Sequence, residues 1–410
     1  MASIDKNTYK EVSGNGGDYL SLIAWLGVFA AAGIGSAFYM ETQGHVVTGM
    51  TNQIVWGMPH VFAVFLIIAA SGALNVASMS SVFGKKIYKP LGRLSAIMAL
   101  SLLAGGLLVL VLDLGRPDRL DVAMLKQNFK SIFAWNIYLY SGFFGVVIVY
   151  LWMMMERRFN KYSKIAGTFA FVWRLALTTG TGSIFGFLMA RPGYDAAIMA
   201  PMFIAMSFAF GLAIKILFVT AAYRATKRPL GDKLLYQMRN LLGIFIAASL
   251  YFSVAQHLTN LYAAEHSGVE RFILLDGGIY TILFWVGQVL LGSIVPMALL
   301  FHPAVNRSCQ SINAASMLVI LGGIANVYII IVGGQAYPLE MFPGFEVTSS
   351  FFDGSVHSYV PSLPEIVLGL GGVATALLIM MLAVKYLPIL PASLSDVAVG
   401  PANITTDEDA

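Results

Sequence analysis

Residues 94–114 read LSAIMALSLLAGGLLVLVLDL, and their only charge is Asp113, one residue from the end. An apolar run of about 20 residues spans a bilayer as a helix. No period-2 alternation interrupts the run, so it is not a barrel strand. Nine further runs follow the same rule, and the ten cover 19–41, 55–79, 94–114, 131–155, 166–189, 198–222, 241–263, 277–301, 312–333 and 364–387. The reading is an all-α integral membrane protein of ten transmembrane helices.

Composition agrees. Of 410 residues, 58% are hydrophobic and 11% charged, against about 25% charged in an ordinary globular protein. So few charges exclude a soluble surface and a disordered chain. The single cysteine, Cys309, excludes a disulfide scaffold, a self-contained iron–sulfur cluster and a cysteine-rich zinc site. The first 18 residues are polar and the first apolar run is too long for a signal sequence, so no cleavable leader is expected.

Lys and Arg set the orientation. Seventeen of the 25 fall in the N-terminal tail, the even-numbered loops and the C-terminal end, six fall in the odd-numbered loops, and Arg174 and Lys215 lie inside helices. This bias places both termini of a multi-pass membrane protein in the cytoplasm. The basic residues sit in short loops, which reads as orientation and not as nucleic-acid binding. Four of the six outer charges, Arg116, Arg119, Lys126 and Lys130, share the loop after helix 3. A local break in the positive-inside rule suggests a task, and docking of a partner is the expected one.

Lys89-Pro90-Leu91-Gly92 after helix 2 is echoed by Arg228-Pro229-Leu230-Gly231 after helix 6. An offset of four helices suggests two tandem four-helix bundles plus two added helices. The expected division is a cytoplasmic tail at 1–18, bundles at 19–155 and 156–301, two added helices at 302–390, and a cytoplasmic tail at 391–410. The tails, the last ending Asp407-Glu408-Asp409, are expected to be mobile. The outer loop 334–363 has no Lys or Arg but holds Tyr337, Phe342, Phe345, Phe351, Phe352 and Tyr359, with Pro338, Pro343 and Pro361. It reads as a lid or a docking surface. Gly105-Gly106, Gly322-Gly323 and Gly371-Gly372 suit close helix packing.

Polar residues at the outer helix ends are the chemical candidates. Asp113 ends helix 3, and Arg116 is the nearest cation to pair with it. Glu41 ends helix 1, Trp56 and His60 open helix 2, and Trp135, Asn136 and Tyr138 open helix 4. An aromatic belt accounts for the Trp and Tyr residues but not for His60 or Glu41. His60, Asp113, Arg116 and Tyr138, ringed by Glu41, Trp56 and Trp135, offer the apolar walls, donors and proton acceptors that a quinone head group needs. Deeper, Arg174, Lys215 and His257 form a second set, expected to serve a proton route, with snorkelling to the cytoplasmic surface as the plainer account of Lys215. Intrinsic haem needs paired histidines facing each other. His60 and His257 fall in different bundles, so none is expected.

Trp56-Gly57-Met58-Pro59, Gly72-Ala73-Leu74, Ala104-Gly105-Gly106-Leu107 and above all Asp113-Leu114-Gly115-Arg116-Pro117 resemble the NrfD/polysulfide-reductase membrane-subunit family. Ten helices resemble its longer branch. Val332-Gly333-Gly334-Gln335-Ala336-Tyr337-Pro338 and Phe342-Pro343-Gly344 look most like the DsrP-type subunits of DsrMKJOP-like complexes. The resemblance implies a haem-free membrane subunit of a respiratory or sulfur-metabolism complex. Such a subunit exchanges electrons between membrane quinone (menaquinone or ubiquinone) and a ferredoxin-like iron–sulfur subunit on the outer face, alongside other membrane and cytochrome subunits. Two other classes compete on the residues alone: an ion or solute transporter using Arg174, Lys215 and His257, and an autonomous b-type cytochrome.

Overall fold

A computed structural model describes residues 8–14, 16–339 and 354–399. Among the described residues, nine helices are long and apolar enough to cross a membrane. They are α1 (Gly17–Gln43), α2 (Met58–Ser81), α3 (Gly92–Leu112), α4 (Ile132–Met155), α6 (Met199–Ala225), α7 (Asp232–Tyr262), α8 (Ile279–Phe301), α9 (Cys309–Ala336) and α10 (Leu363–Tyr386). The remaining predicted run forms α5 (Ser163–Gly186), a 24-residue helix. Lys164, Arg174 and a Thr-Gly-Ser-rich last third make it less apolar than the others. The protein is an all-α integral membrane protein. Helix α7 begins nine residues before its predicted start, because the polar stretch Asp232–Asn240 continues the helix beyond its apolar part.

The helices group differently from the sequence expectation. Helices α2, α3, α4 and α5 pack as one ring of neighbours and α6, α7, α8 and α9 as a second, while α1 packs chiefly on α10. The bundle boundaries therefore fall one helix later than expected. The reason is local shape. A methyl group on Gly33 of α1 would meet the Gly371 Cα of α10, so these two backbones touch, whereas most of α1 is exposed. The grouping also puts Lys89-Pro90-Leu91-Gly92 and Arg228-Pro229-Leu230-Gly231 at equivalent places, each in the first connection of its bundle.

Helix α2 is the centre of the molecule. Its apolar window is entirely buried, against 17% for α1, and it touches α3, α5, α6, α9 and α10. It crosses α6 where Gly72 lies against Ser207 O and Gly211 against the backbone of Gly72 and Ala73. Similar close approaches join Gly105 to Gly372 and Gly292 to Gly322. Small residues let helix backbones approach where no hydrophobic drive exists between helices in lipid.

The tails are less free than expected. Tyr9–Lys10 pairs antiparallel with Leu390–Pro391, and the Arg228 guanidinium donates to the carbonyls of Lys10, Glu11, Leu390 and Pro391. Leu394 and Val399 are buried. The described ends of the two tails therefore lie on one face of the bundles, here the terminal face. The acidic end Asp407–Asp409 lies outside the described residues, as do Phe342, Pro343, Phe345, Phe351 and Phe352 of the long loop.

Candidate functional site

At the far face, opposite the termini, the backbone leaves α1 through Gly44 (φ 80°), makes a short 3-10 turn at His45–Val47 and runs as an irregular loop to α2. This stretch, residues 49–58, is held by side chains from remote parts of the sequence. Gln335 accepts from the Val55 and Trp56 amides at 3.0 and 3.1 Å and donates to Trp56 O at 3.0 Å. Arg191 donates to Gln53 O at 2.6 Å and to Gln335 O at 2.9 Å. The Met58 amide donates to the Tyr359 hydroxyl at 2.6 Å, which donates to Glu365 at 2.6 Å. Glu365, fully buried, also accepts from the Gly49 and Ser362 amides at 2.8 and 2.7 Å. Three donors satisfy its carboxylate without a cation. Burial, reinforced by the bond to Glu365, raises the Tyr359 phenol far above its ordinary range, so it remains a donor.

The clamp presents Trp56 and His60. The two rings stack, with centroids 6.1 Å apart, and Trp56 also meets Phe133, Phe185 and Tyr194. His60 Nδ1 lies 2.9 Å from Asp113 Oδ2, which caps the end of α3. The Asp113 side chain is 1% exposed and that of His60 17%. The contact is off the line of a hydrogen bond, and neither Asp113 oxygen has an aligned donor among the described residues. A buried carboxylate left this way is expensive unless something else supplies the donor.

The predicted constellation is thus partly gathered. Trp56, His60 and Asp113 come together. Arg116 does not pair with Asp113. It donates twice to Asp118, both at 3.1 Å and both groups exposed, and that bond holds the Asp118 carboxyl below its usual range. The cause is Gly115, whose φ of 69° turns the backbone away from Asp113 and lays it beside the His45 ring. Trp135 and Tyr138, both exposed, donate instead to Phe129 O and Met124 O at 2.8 and 3.0 Å, bracing the loop before α4. Glu41 is exposed at the end of α1, close enough for its charge to act on Arg116. Arg119, Lys126 and Lys130 are exposed on that same loop.

The deep residues divide between two networks. Arg174, fully buried, donates to Asn75 Oδ1 at 3.1 Å and lies over the Phe171 and Phe208 rings. Lys215, also fully buried, donates to Ala73 O and Ser95 Oγ at 2.5 Å, beside the interruption of α2 at Leu74. Neither snorkels. His257 belongs elsewhere, at the far end of α7, where its Nδ1 is 2.6 Å from Glu270. A transporter site built from all three loses its common location, and His60 and His257 each face a carboxylate and not each other.

A family model described as polysulphide reductase, NrfD, matches residues 46–338. The chain belongs to the NrfD family. It is similar to the Hdr-like menaquinol oxidoreductase integral membrane subunit of Archaeoglobus fulgidus, 28% identical over 93% of this protein and 96% of the relative. It is similar also to the menaquinone reductase integral membrane subunit of Nitratidesulfovibrio vulgaris, 23% identical over 91% and 92%. Protein NrfD of Escherichia coli is 24% identical over 69% of this protein and 96% of its own length. In this NrfD-family member, sequence reasoning missed Arg191, Gln335, Tyr359 and Glu365 as site-building residues. Ser362-Leu363-Pro364-Glu365 carried a signal, since S-x-x-E opens helices. Gln335 stood in the Val332–Pro338 segment without a role.

Proposed function

We propose that this NrfD-family protein is the quinone-interacting membrane subunit of a redox complex of respiration or sulfur metabolism, and that its head-group site is His60–Asp113 behind Trp56. The observation that carries this reading is the buried Asp113 carboxylate, 2.9 Å from His60 yet without an aligned donor. We assign Asp113 the Nδ1–H of His60 once the imidazole turns into line with it across the 2.9 Å contact, so Nε2 keeps its lone pair and accepts a proton from a quinol hydroxyl. The tautomer follows from the pairing, as in other His–carboxylate couples. Asp113 offsets the imidazolium charge that results, and its oxygens accept from a ligand hydroxyl. Trp56 supplies an apolar wall. Quinone, when bound, supplies the two-electron chemistry, and the names of two relatives favour menaquinone over ubiquinone. An azido-menaquinone photolabel tests the site. It is expected to mark the peptide holding Trp56–His60 or that holding Asp113, and labelling confined to other peptides overturns the assignment.

The electrons go to or come from an iron–sulfur subunit at the far face, which we read as extracytoplasmic. Exposed Arg119, Lys126 and Lys130, with Val122, Leu125 and Phe129 exposed among them, form a basic and apolar docking loop suited to it. Both termini are cytoplasmic in this reading. Membrane-impermeant thiol labelling checks it: a cysteine at Ser267 is expected to react from outside and Cys309 from the cytoplasmic side, and the reverse pattern inverts the topology. Arg174 and Lys215 serve proton handling, away from the head group. Arg174→Met and Lys215→Met are expected to leave quinone affinity within about threefold, a change under 1 kcal/mol. Loss of binding in a folded variant would assign them to the quinone site.

A further inference from the structure

The second bundle carries the same chemical pair. His257 Nδ1 stands 2.6 Å from Glu270 Oε2, and Asn260 donates to Glu270 Oε1 at 2.8 Å. The Glu270 side chain is 1% exposed and that of His257 14%, close to the values for Asp113 and His60. An aromatic ring again lies against the imidazole, here Phe284 edge-on at 4.7 Å. The position is comparable too. In each bundle the second helix, α3 or α7, brings one partner to the far face: Asp113 at the end of α3, His257 five residues before the end of α7. The other partner, Glu270, comes from the short helix Ser267–Arg271.

The surroundings suit a ligand that arrives through lipid. On α7, Val254, Leu258 and Leu261 are exposed, and so is Trp285 on α8, whose indole donates to Leu274 O at 2.9 Å. Interfacial Trp marks head-group depth in a bilayer. Leu283–Ile294 and Phe272–Asp276, which border the pair, are π-helical, a geometry rare in general and frequent at functional sites.

We propose that His257–Glu270 is a second quinone head-group site, opening to lipid between α7 and α8. Glu270, fixed by Asn260, takes Nδ1–H of His257 and leaves Nε2 to face the ligand. Neutral, Nε2 accepts from a quinol hydroxyl. Protonated, it donates to a quinone carbonyl, with Glu270 offsetting the charge. The inference rests on the reading of His60–Asp113 as a site of the same kind.

The test counts sites. The intact complex in nanodiscs is titrated with a fluorescent alkyl-4-hydroxyquinoline N-oxide, and the sites lost on each substitution in this subunit are scored. His60→Ala is expected to remove one site and His257→Ala a different one, each weakening its own site at least tenfold. Val254→Trp, which adds bulk on the exposed face of α7 one turn from His257 without replacing either member of the ion pair, is expected to act like His257→Ala and guards against a His257 variant that fails to assemble. If His60→Ala removes a site while His257→Ala and Val254→Trp, both assembled, remove none, the second site is overturned and the first stands. If only the second-bundle variants remove a site, the reading of His60 falls while this one holds. If none removes a site, both fall.

Discussion

Asp113→Asn is expected to lower quinol turnover by about 10²–10⁴, the contribution typical of a positioned general base. The substitution keeps the shape of the side chain and removes its charge, so His60 loses the partner that sets its tautomer and stabilises its protonated form. His60→Ala is expected to fall in the same range, and the double variant scarcely lower than either, because the two act as one unit. Arg116→Ala and Tyr138→Phe provide the contrast. Arg116 pairs with exposed Asp118 and Tyr138 bonds Met124 O, and contacts at an exposed surface contribute little, so turnover should change by less than about fivefold. Steady-state quinol oxidation by the assembled complex is the measurement. Equal effects at Asp113 and Tyr138 would mean that the pocket is not built as described.

Gly211→Leu is expected to leave no stably folded protein. A side chain there would be driven into the backbone of Gly72 and Ala73 on α2, and Gly72 itself abuts Ser207 O. Overpacking usually costs about 1–3 kcal/mol because neighbouring side chains shift. Here the obstacle is backbone on the helix that both bundles share, so no rotamer relieves it. Gly145→Leu on α4 is the control, since nothing lies within 4 Å of the added carbon. Fluorescence-detected gel filtration of the tagged protein should show a monodisperse peak for Gly145→Leu and aggregate or no product for Gly211→Leu. A monodisperse Gly211→Leu would contradict the α2–α6 crossing.

How much of this was legible in the residues differs by kind. Helix positions were, because the bilayer imposes one length and one composition on every span. The close-packed glycine pairs at 105, 322 and 371 were, because only small residues let backbones touch. Helix partnership was not: α1 and α10 are more than 300 positions apart, and hydropathy says nothing about which helices meet. Depth in the membrane and the Asp-Leu-Gly-Arg-Pro element pointed to His60 and Asp113, which the fold brings 2.9 Å apart. Arg116 misled because nearness in sequence was taken as nearness in space, and the left-handed turn at Gly115 breaks that link. Trp135 and Tyr138 misled because periodicity gives a helix its faces without saying which face is lined by protein. Glu365 and Gln335 were hidden for another reason. Their partners are backbone groups of residues 49–58, and main-chain hydrogen bonding leaves no mark on the partner's side chains.

The clamp on residues 49–58 also sets an order of events. His60 enters the membrane early in synthesis, with the second helix. Gln335, Tyr359 and Glu365, which hold the approach to it, lie about 280–320 positions further along. A polypeptide still being inserted therefore owns His60 long before it owns the frame that aims it. The first bundle can close around α2, but the approach to His60 is fully held only when the last helix docks. On the function proposed above, a nascent or truncated product is thereby kept from reacting with quinone before its partners can take the electrons.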